Sequence, residues 1–260
     1  MMNYRQKKYD RAAATYHSHS MVQKEMAKTL INMLPKGFMA ESVLELGCGT
    51  GHLSVLVLEN HPMAQVILSD ISPAMVEECQ AHLGITDFRG TLDWQIVDAE
   101  TFSGFSGLSL ICSNAVVQWF SDLQPYLLSV WACLAKEGYC LFSGFSNSNF
   151  SELKQLLSMP PFNVKKFPGH SLETVLGNVQ HAGFEVLSAK EERRQIFYPN
   201  FDVFLQSLKK TGANGRTDIT FTKEKYRILK AKYSRLFQMG SGITVTWKPW
   251  YLLAQKKEEH

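Results

Sequence analysis

The chain has 260 residues, of which 45% are hydrophobic and 20% charged, and its formal net charge is +3. These values exclude a disordered chain, which combines few apolar residues with a large charge imbalance, and they predict one α/β domain carrying an inserted cap. A net charge this small gives no reason by itself to expect a nucleic-acid partner.

The N-terminus is polar and lacks the apolar run of a signal peptide. Residues 9–34 carry apolar side chains at helical spacing (Ala13, Tyr16, Val22, Met26, Leu30, Met33), and Pro35 and Gly37 end the segment. Residues 43–46 (VLEL) form a short buried strand closed by glycines. Residues 52–60 read as a helix and 66–70 (VILSD) as a second buried strand. Ser72 at the N-cap and Pro73 behind it start a helix over 72–83. Residues 94–100 and 108–114 are the third and fourth strands, 123–135 an apolar helix and 138–145 a fifth strand. Strands alternating with helices predict a parallel sheet covered on both faces.

Beyond residue 145 the rhythm changes. Residues 171–183 read as a helix and 184–198 as one long strand. Residues 199–240 are basic and helical, with a break at 211–216, and 243–257 form a final strand kinked at Pro249. The expected organisation is a single domain: a helical lid over 1–36, a core over 40–198 and 242–257, and a helical cap inserted over 199–241. The longest uncharged run, 101–121, is broken by Ser, Gly, Asn and Gln and is no membrane span. Five cysteines (Cys48, Cys79, Cys112, Cys133, Cys140) show neither a C-x-x-C pair nor metal-ligand spacing. They read as buried thiols of a reducing, cytoplasmic compartment, with no metal site.

The sharpest motif is residues 45–51, Glu-Leu-Gly-Cys-Gly-Thr-Gly, between a strand and a helix. Glycines there let the backbone turn tightly and approach a ligand at the carboxyl ends of the strands. The spacing is G-x-G-x-G, not the G-x-G-x-x-G of dinucleotide binders, which argues against a nicotinamide dehydrogenase. Glu45 would repel a pyrophosphate but suits a cationic amino-acid group, so a ligand with an ammonium and a sulfonium is favoured. Asp70 ends the second strand, where a carboxylate accepts ribose hydroxyls. Asp98, with Ala99, ends the third strand at the expected adenine edge, and Asn114 ends the fourth. One such group alone is a turn or helix cap; four at successive strand ends argue for one ligand.

Together, ELGCGTG (45–51), DISPAM (70–75), DAE (98–100) and SNAVVQW (113–119) resemble the class I S-adenosylmethionine-dependent methyltransferases. The resemblance implies a doubly wound, Rossmann-like sheet of seven strands, mainly parallel with the last antiparallel, and S-adenosylmethionine as cofactor. It implies a cofactor site of Glu45, Gly47, Cys48, Gly49, Gly51, Asp70, Ile71, Met75, Asp98, Ala99 and Asn114. YDRAAATY (9–16), LKKTGANG (208–215) and YLLAQKK (251–257) are similar to the malonyl-[acyl-carrier-protein] O-methyltransferases of biotin synthesis. With the core, this likeness spans nearly the whole chain. Ser109 departs from it: an acidic residue is often found there, at a position expected to support the strand.

The narrower resemblance implies methylation of the free carboxylate of a malonyl thioester, carried by acyl carrier protein or coenzyme A. That carboxylate is ionised at neutral pH, so no general base is expected. The task is to align oxygen, methyl carbon and sulfur away from water. Tyr16 is expected to close over the methyl donor, and Gln118 and Trp119 to line the substrate side. A cation must orient the carboxylate, and a bidentate arginine is the natural choice. Arg11, Arg193, Arg194 and Arg216 are the candidates. Basic residues gather in the C-terminal half (Lys165, Lys166, Lys209, Lys210, Lys223, Arg227, Lys232 and Arg235 among them), as docking of an acidic carrier protein requires. A solvated helix face explains them equally well. Two alternatives stand beside this reading: a methyltransferase for small dicarboxylates of the trans-aconitate type, and a catalytically silent S-adenosylmethionine-binding protein.

Overall fold

The computed structural model describes residues 4–84, 87–164, 167–212 and 222–257. The described strands are β1 (Ser42–Leu46), β2 (Gln65–Asp70), β3 (Thr91–Ile96), β4 (Leu108–Asn114), β5 (Leu134–Phe145), β6 (Phe184–Glu191), β7 (Arg194–Tyr198), β8 (Gln238–Met239), β9 (Gly242–Trp247) and β10 (Pro249–Lys256). The helices are α1 (Tyr4–His19), α2 (Met21–Ile31), α3 (His52–Asn60), α4 (Pro73–His82), α5 (Gln124–Cys133), α6 (Ser151–Ser158), α7 (Leu172–His181), α8 (Phe201–Lys210) and α9 (Lys223–Leu236).

Seven strands form the main sheet in the order β3-β2-β1-β4-β5-β10-β6. β10 runs antiparallel to β5 and β6, and the other pairs are parallel. This is the doubly wound sheet expected from the sequence. Neighbouring residues on a strand point to opposite faces, so each central strand feeds two cores. Val43, Leu110, Leu141 and Leu253 pack on one side with Met26 and Leu30 of α2 and Leu53 and Val57 of α3. Leu44, Ile111, Phe142 and Leu252 pack on the other with Leu127 and Val130 of α5 and Val175 and Val179 of α7. Strand order reverses between β1 and β4, and a ligand of such a sheet sits outside the carboxyl ends at that point. Ser109 does support the strand: its hydroxyl accepts from the backbone N–H of Glu41 and Ser42 at 3.0 Å and donates to the Ser42 carbonyl at 2.8 Å.

Several segments differ from the sequence expectation, among them β3, which ends at Ile96 and leaves Asp98 and Ala99 in the loop beyond it rather than on a strand reaching residue 100. Residues 9–34 are two helices meeting at Ser20, whose hydroxyl donates back to the Tyr16 carbonyl at 2.6 Å. The long strand over 184–198 is β6 and then β7, which leaves the main sheet to pair with β9. Arg194 pins the changeover, donating to Glu192 at 2.8 Å through Nε and to the Tyr251 hydroxyl at 3.1 Å. The final strand likewise divides into β9 and β10 around Lys248. The expected kink at Pro249 is therefore a change of sheet, at a residue with no N–H to give a ladder.

The small sheet, in the order β7-β9-β8, joins α1, α6, α8 and α9 as a cap. Helix α6 escaped the sequence reading. It is hooked to β9 by Glu152, whose carboxylate accepts from the backbone N–H of Thr246 at 3.0 Å and from its hydroxyl. None of the described helices is long and apolar enough to cross a membrane.

Gly144 on β5 faces Trp250 on β10, and a Cβ there would lie 2.5 Å from the fully buried indole. Gly144→Ala is expected to overpack this contact and cost about 1–3 kcal/mol. The midpoint of urea unfolding measures it.

Candidate functional site

β1 runs directly into the glycine loop. The N–H groups of Gly47 and Cys48 both donate to the Ser69 carbonyl, at 2.7 and 2.8 Å, which ties the loop to the end of β2. Gly47 has φ +76°, and a Cβ on it would lie 2.4 Å from the Val116 side chain, so only glycine fits. Gly49 donates its N–H to Asp70 Oδ2 at 3.0 Å. Gly51 precedes α3, which turns the positive end of its dipole toward the loop.

Two buried carboxyl groups face this loop. Glu45 is 1% exposed, and its Oε2 has no hydrogen-bond partner. Burial pushes its carboxyl up to about 8; a hydrogen bond to Ser54 works against this and the charge of Asp70 adds to it. Asp70 is pushed up to about 6 by burial, against backbone hydrogen bonds from Ser72, Gly49 and Ile71. The Ser72 N–H reaches Oδ1 at 2.9 Å, and the Ser72 hydroxyl accepts from Met75 N–H at 3.2 Å, capping α4 as the sequence predicts. Such a pair of carboxyls is stabilised by an arriving cation and by hydroxyl donors. Cys48 stays a thiol: contact with Cys79 and burial push it up. Among the described residues no group of three or more His, Cys, Asp or Glu is placed to hold a metal ion.

The remaining strand ends are tied to the N-terminal helices. Asp98 and the buried Ala99 follow β3; Arg5 of α1 lies 3.7 Å from Asp98 and pairs closely with Glu100. Asn114 donates to the Gln23 carbonyl of α2 at 2.9 Å and accepts from the Ser143 hydroxyl at 2.7 Å. Helix α1 thus lies over the loop. The Ser72 hydroxyl donates to its Asp10 at 2.5 Å, and the Tyr16 ring approaches Gly49. His17 Nδ1 lies 3.1 Å from the Thr50 hydroxyl. His17 also stacks on His82, ring centroids 3.9 Å apart, and tilts against His52 at 4.5 Å. Burial lowers His17, and it lowers His52 to about 4.

Beside the loop, between sheet and cap, lies a cavity of about 490 Å³. Tyr9, Tyr16, Gln118 and Trp119 line one part of it; Phe150, Lys154, Phe167 and Trp247 line another. Gln118 is held by a 2.6 Å hydrogen bond to the Ala115 carbonyl, and its Oε1 is buried without a partner. Tyr16, Gln118 and Trp119 thus share one part of the cavity wall.

The expected arginines do not join them. Arg11 is exposed on α1, and Arg193 is exposed in the turn between β6 and β7; neither lines the cavity. Their places follow from helix phase and from the strand changeover, neither of which the motif spacing reveals. Arg194 is engaged in the ties already described, and Arg216 lies outside the described residues. Among the described residues the cavity is lined by three lysines, Lys8, Lys154 and Lys209; Lys154, on α6, is not among the residues the sequence singles out. A single lysine in an amphipathic helix carries no signal that separates it from a surface residue.

A methyltransferase-domain family matches residues 18–189 of this chain. The chain is 30% identical over 250 residues to malonyl-[acyl-carrier protein] O-methyltransferase 1 of Ilyobacter polytropus, covering 95% of this chain and 92% of the relative. It is 29% identical over 271 residues to the malonyl-[acyl-carrier protein] O-methyltransferase of Acetivibrio thermocellus, covering 96% and 92%. Among solved structures, an S-adenosylmethionine-dependent methyltransferase from Mesorhizobium loti superposes with a TM-score of 0.53 at 14% identity, covering 88% of this chain and 96% of that one. The same fold recurs in a Bacillus halodurans C-125 methyltransferase structure, TM-score 0.64, 14% identity, covering 89% and 99%.

The histidine stack makes the seating of α1 depend on pH. His17 and His52 have depressed folded values, so their contribution is complete above the ordinary histidine value near 6.5 and is lost as pH falls toward about 4. Lys24 of α2 opposes their protonation, and Glu78 of α4 favours that of His17. Hydrogen exchange, corrected for intrinsic rates, is expected to show less protection of residues 4–19 at pH 5 than at pH 7.5. His17→Ala should remove most of that difference.

Proposed function

The chain belongs to the methyltransferase-domain family and, within it, to the malonyl-[acyl-carrier protein] O-methyltransferases; from that premise we propose that it transfers a methyl group from S-adenosylmethionine to the free carboxylate of a malonyl thioester. The observation that carries the cofactor half is Glu45, a buried carboxyl with an unpartnered oxygen beside a glycine loop. Glu45 receives the amino-acid ammonium. Asp70 still has lone pairs for the ribose hydroxyls beyond the backbone N–H groups it accepts. Gly47, Cys48, Gly49 and Gly51 offer the backbone wall, and Ile71, Met75, Asp98 and Ala99 flank the adenine. Asn114 acts by fastening α2 to the sheet.

When bound, the cofactor supplies a methyl group made electrophilic by a cationic sulfur. The malonyl carboxylate is ionised at neutral pH, so no residue has to take a proton from it. What the chain contributes is placement and exclusion of water. Tyr16 and α1 cover the loop, Gln118 and Trp119 line the substrate side, and the cavity admits the acyl end. In this reading residues 1–36 supply the lid and 199–241 the cap. The site of action is the cytoplasm, a reading supported by five cysteines that are all buried and free.

The partner in this reading is the malonyl form of an acyl carrier protein, with malonyl coenzyme A as the smaller substitute and the methyl ester serving biotin synthesis. Its support is the name borne by the relatives and the exposed basic residues around the cap: Lys209 and Lys210 on α8, and Lys223, Arg227, Lys232 and Arg235 on α9. Lys230 is instead paired with Asp202 at 2.6 Å. Lys165 and Lys166 lie outside the described residues.

Transfer of labelled methyl to malonyl-carrier protein, malonyl coenzyme A, free malonate and trans-aconitate tests the reading. Both thioesters are expected to be methylated and the free dicarboxylates not. Arg227→Glu combined with Lys232→Glu should raise KM for the carrier protein about tenfold and leave malonyl coenzyme A unchanged. Failure with every malonyl thioester, or equal rates on the free acids, would sink it.

A further inference from the structure

Lys154 sits on α6, within a wall built from Phe145, Phe150, Leu153, Leu157, Phe167 and Trp247. Its Nζ donates to the Asn147 carbonyl at 2.6 Å and lies 5.2 Å from the centroid of the Phe167 ring. These contacts orient the ammonium without neutralising it, and among the described residues no carboxylate forms an ion pair with it. Burial lowers the lysine to about 8. Of the other described lysines on the cavity, Lys8 lies over the Tyr4 ring on α1, and Lys209 is exposed. A half-buried ammonium beside an aromatic ring, on an apolar cavity wall, is poorly solvated until an anion reaches it and pairs strongly once one does.

Resting on the carboxyl-methyltransferase reading, we propose that Lys154 is the residue that grips the substrate carboxylate. One carboxylate oxygen accepts from Nζ, which leaves the other free toward the methyl donor. The thioester end then runs along the apolar part of the cavity. Specificity follows: a neutral acyl group gives the lysine nothing to pair with, so the methyl ester product leaves readily.

The pH dependence separates this role from a merely structural one. The free lysine is charged below about 8 and loses its proton above it. Bound carboxylate holds the proton on, so KM rises with pH through that region while kcat stays level. Arginine does not titrate there.

The test uses malonyl-N-acetylcysteamine, which has the carboxylate and the thioester but no phosphate. With the wild-type chain, kcat/KM is expected to fall above about pH 8. Lys154→Met should raise KM about tenfold to a hundredfold at pH 7 with kcat little changed. Lys154→Arg should keep KM near wild type and lose the alkaline fall. S-adenosylhomocysteine affinity, measured by calorimetry, checks that both variants are folded. An unchanged KM in Lys154→Met overturns the proposal. So does a defect confined to phosphopantetheine-bearing substrates, which would assign the lysine to the phosphate. No turnover of any malonyl thioester by the wild type would instead sink the carboxyl-methyltransferase reading, and this inference with it.

Discussion

A carboxyl group buried at the end of β1, with one oxygen left without a hydrogen-bond partner, is the constraint on which the rest of the site depends. Glu45 is held there because its strand lies in the middle of a sheet covered on both faces, between β2 and β4. Burying it costs free energy unless a partner supplies charge or donors. Its position at the reversal of strand order sets where that partner comes to rest, and Asp70, one strand away, shares the same demand. The glycine loop leaves the space: its backbone conformation and the closeness of Val116 both forbid a side chain at Gly47.

Helix α1 links this polar end to the apolar cavity. One helix touches Asp98 and Glu100 through Arg5, Ser72 through Asp10 and Thr50 through His17, while its Tyr9 and Tyr16 line the cavity. The same helix therefore borders both the loop and the cavity wall. That arrangement suits a reaction between two bound molecules, since closing over one completes the enclosure of the other.

Much of the sheet was legible in the sequence because it follows from local rules. Buried strands end in glycines, Ser72 and Pro73 start a helix, and strand–helix alternation implies parallel pairing. Glu45, Asp70 and the glycines were legible because their spacing is set within one strand–loop–helix unit. What escaped depends on distant contacts. The division of 184–198 into β6 and β7 rests on Arg194 meeting Tyr251, and α6 is anchored by Glu152 reaching Thr246. Lys154 lies on the helix so anchored. Arg11 and Arg193 carry the chemistry expected of a carboxylate-binding residue, but helix phase and strand changeover turn them outward.

Proton linkage at the cofactor site tests the central claim most directly. At pH 7 the free Glu45 carboxyl, with a folded value near 8, is mostly protonated, and a bound ammonium must draw it into the ionised form. Calorimetric titration with S-adenosylhomocysteine at pH 7, in buffers of different ionisation enthalpy, counts the protons released. Release of close to one proton by the wild type, lost in Glu45→Gln together with much of the affinity, is the predicted result. Tight binding with no proton release, or the same release from Glu45→Gln, would contradict the account.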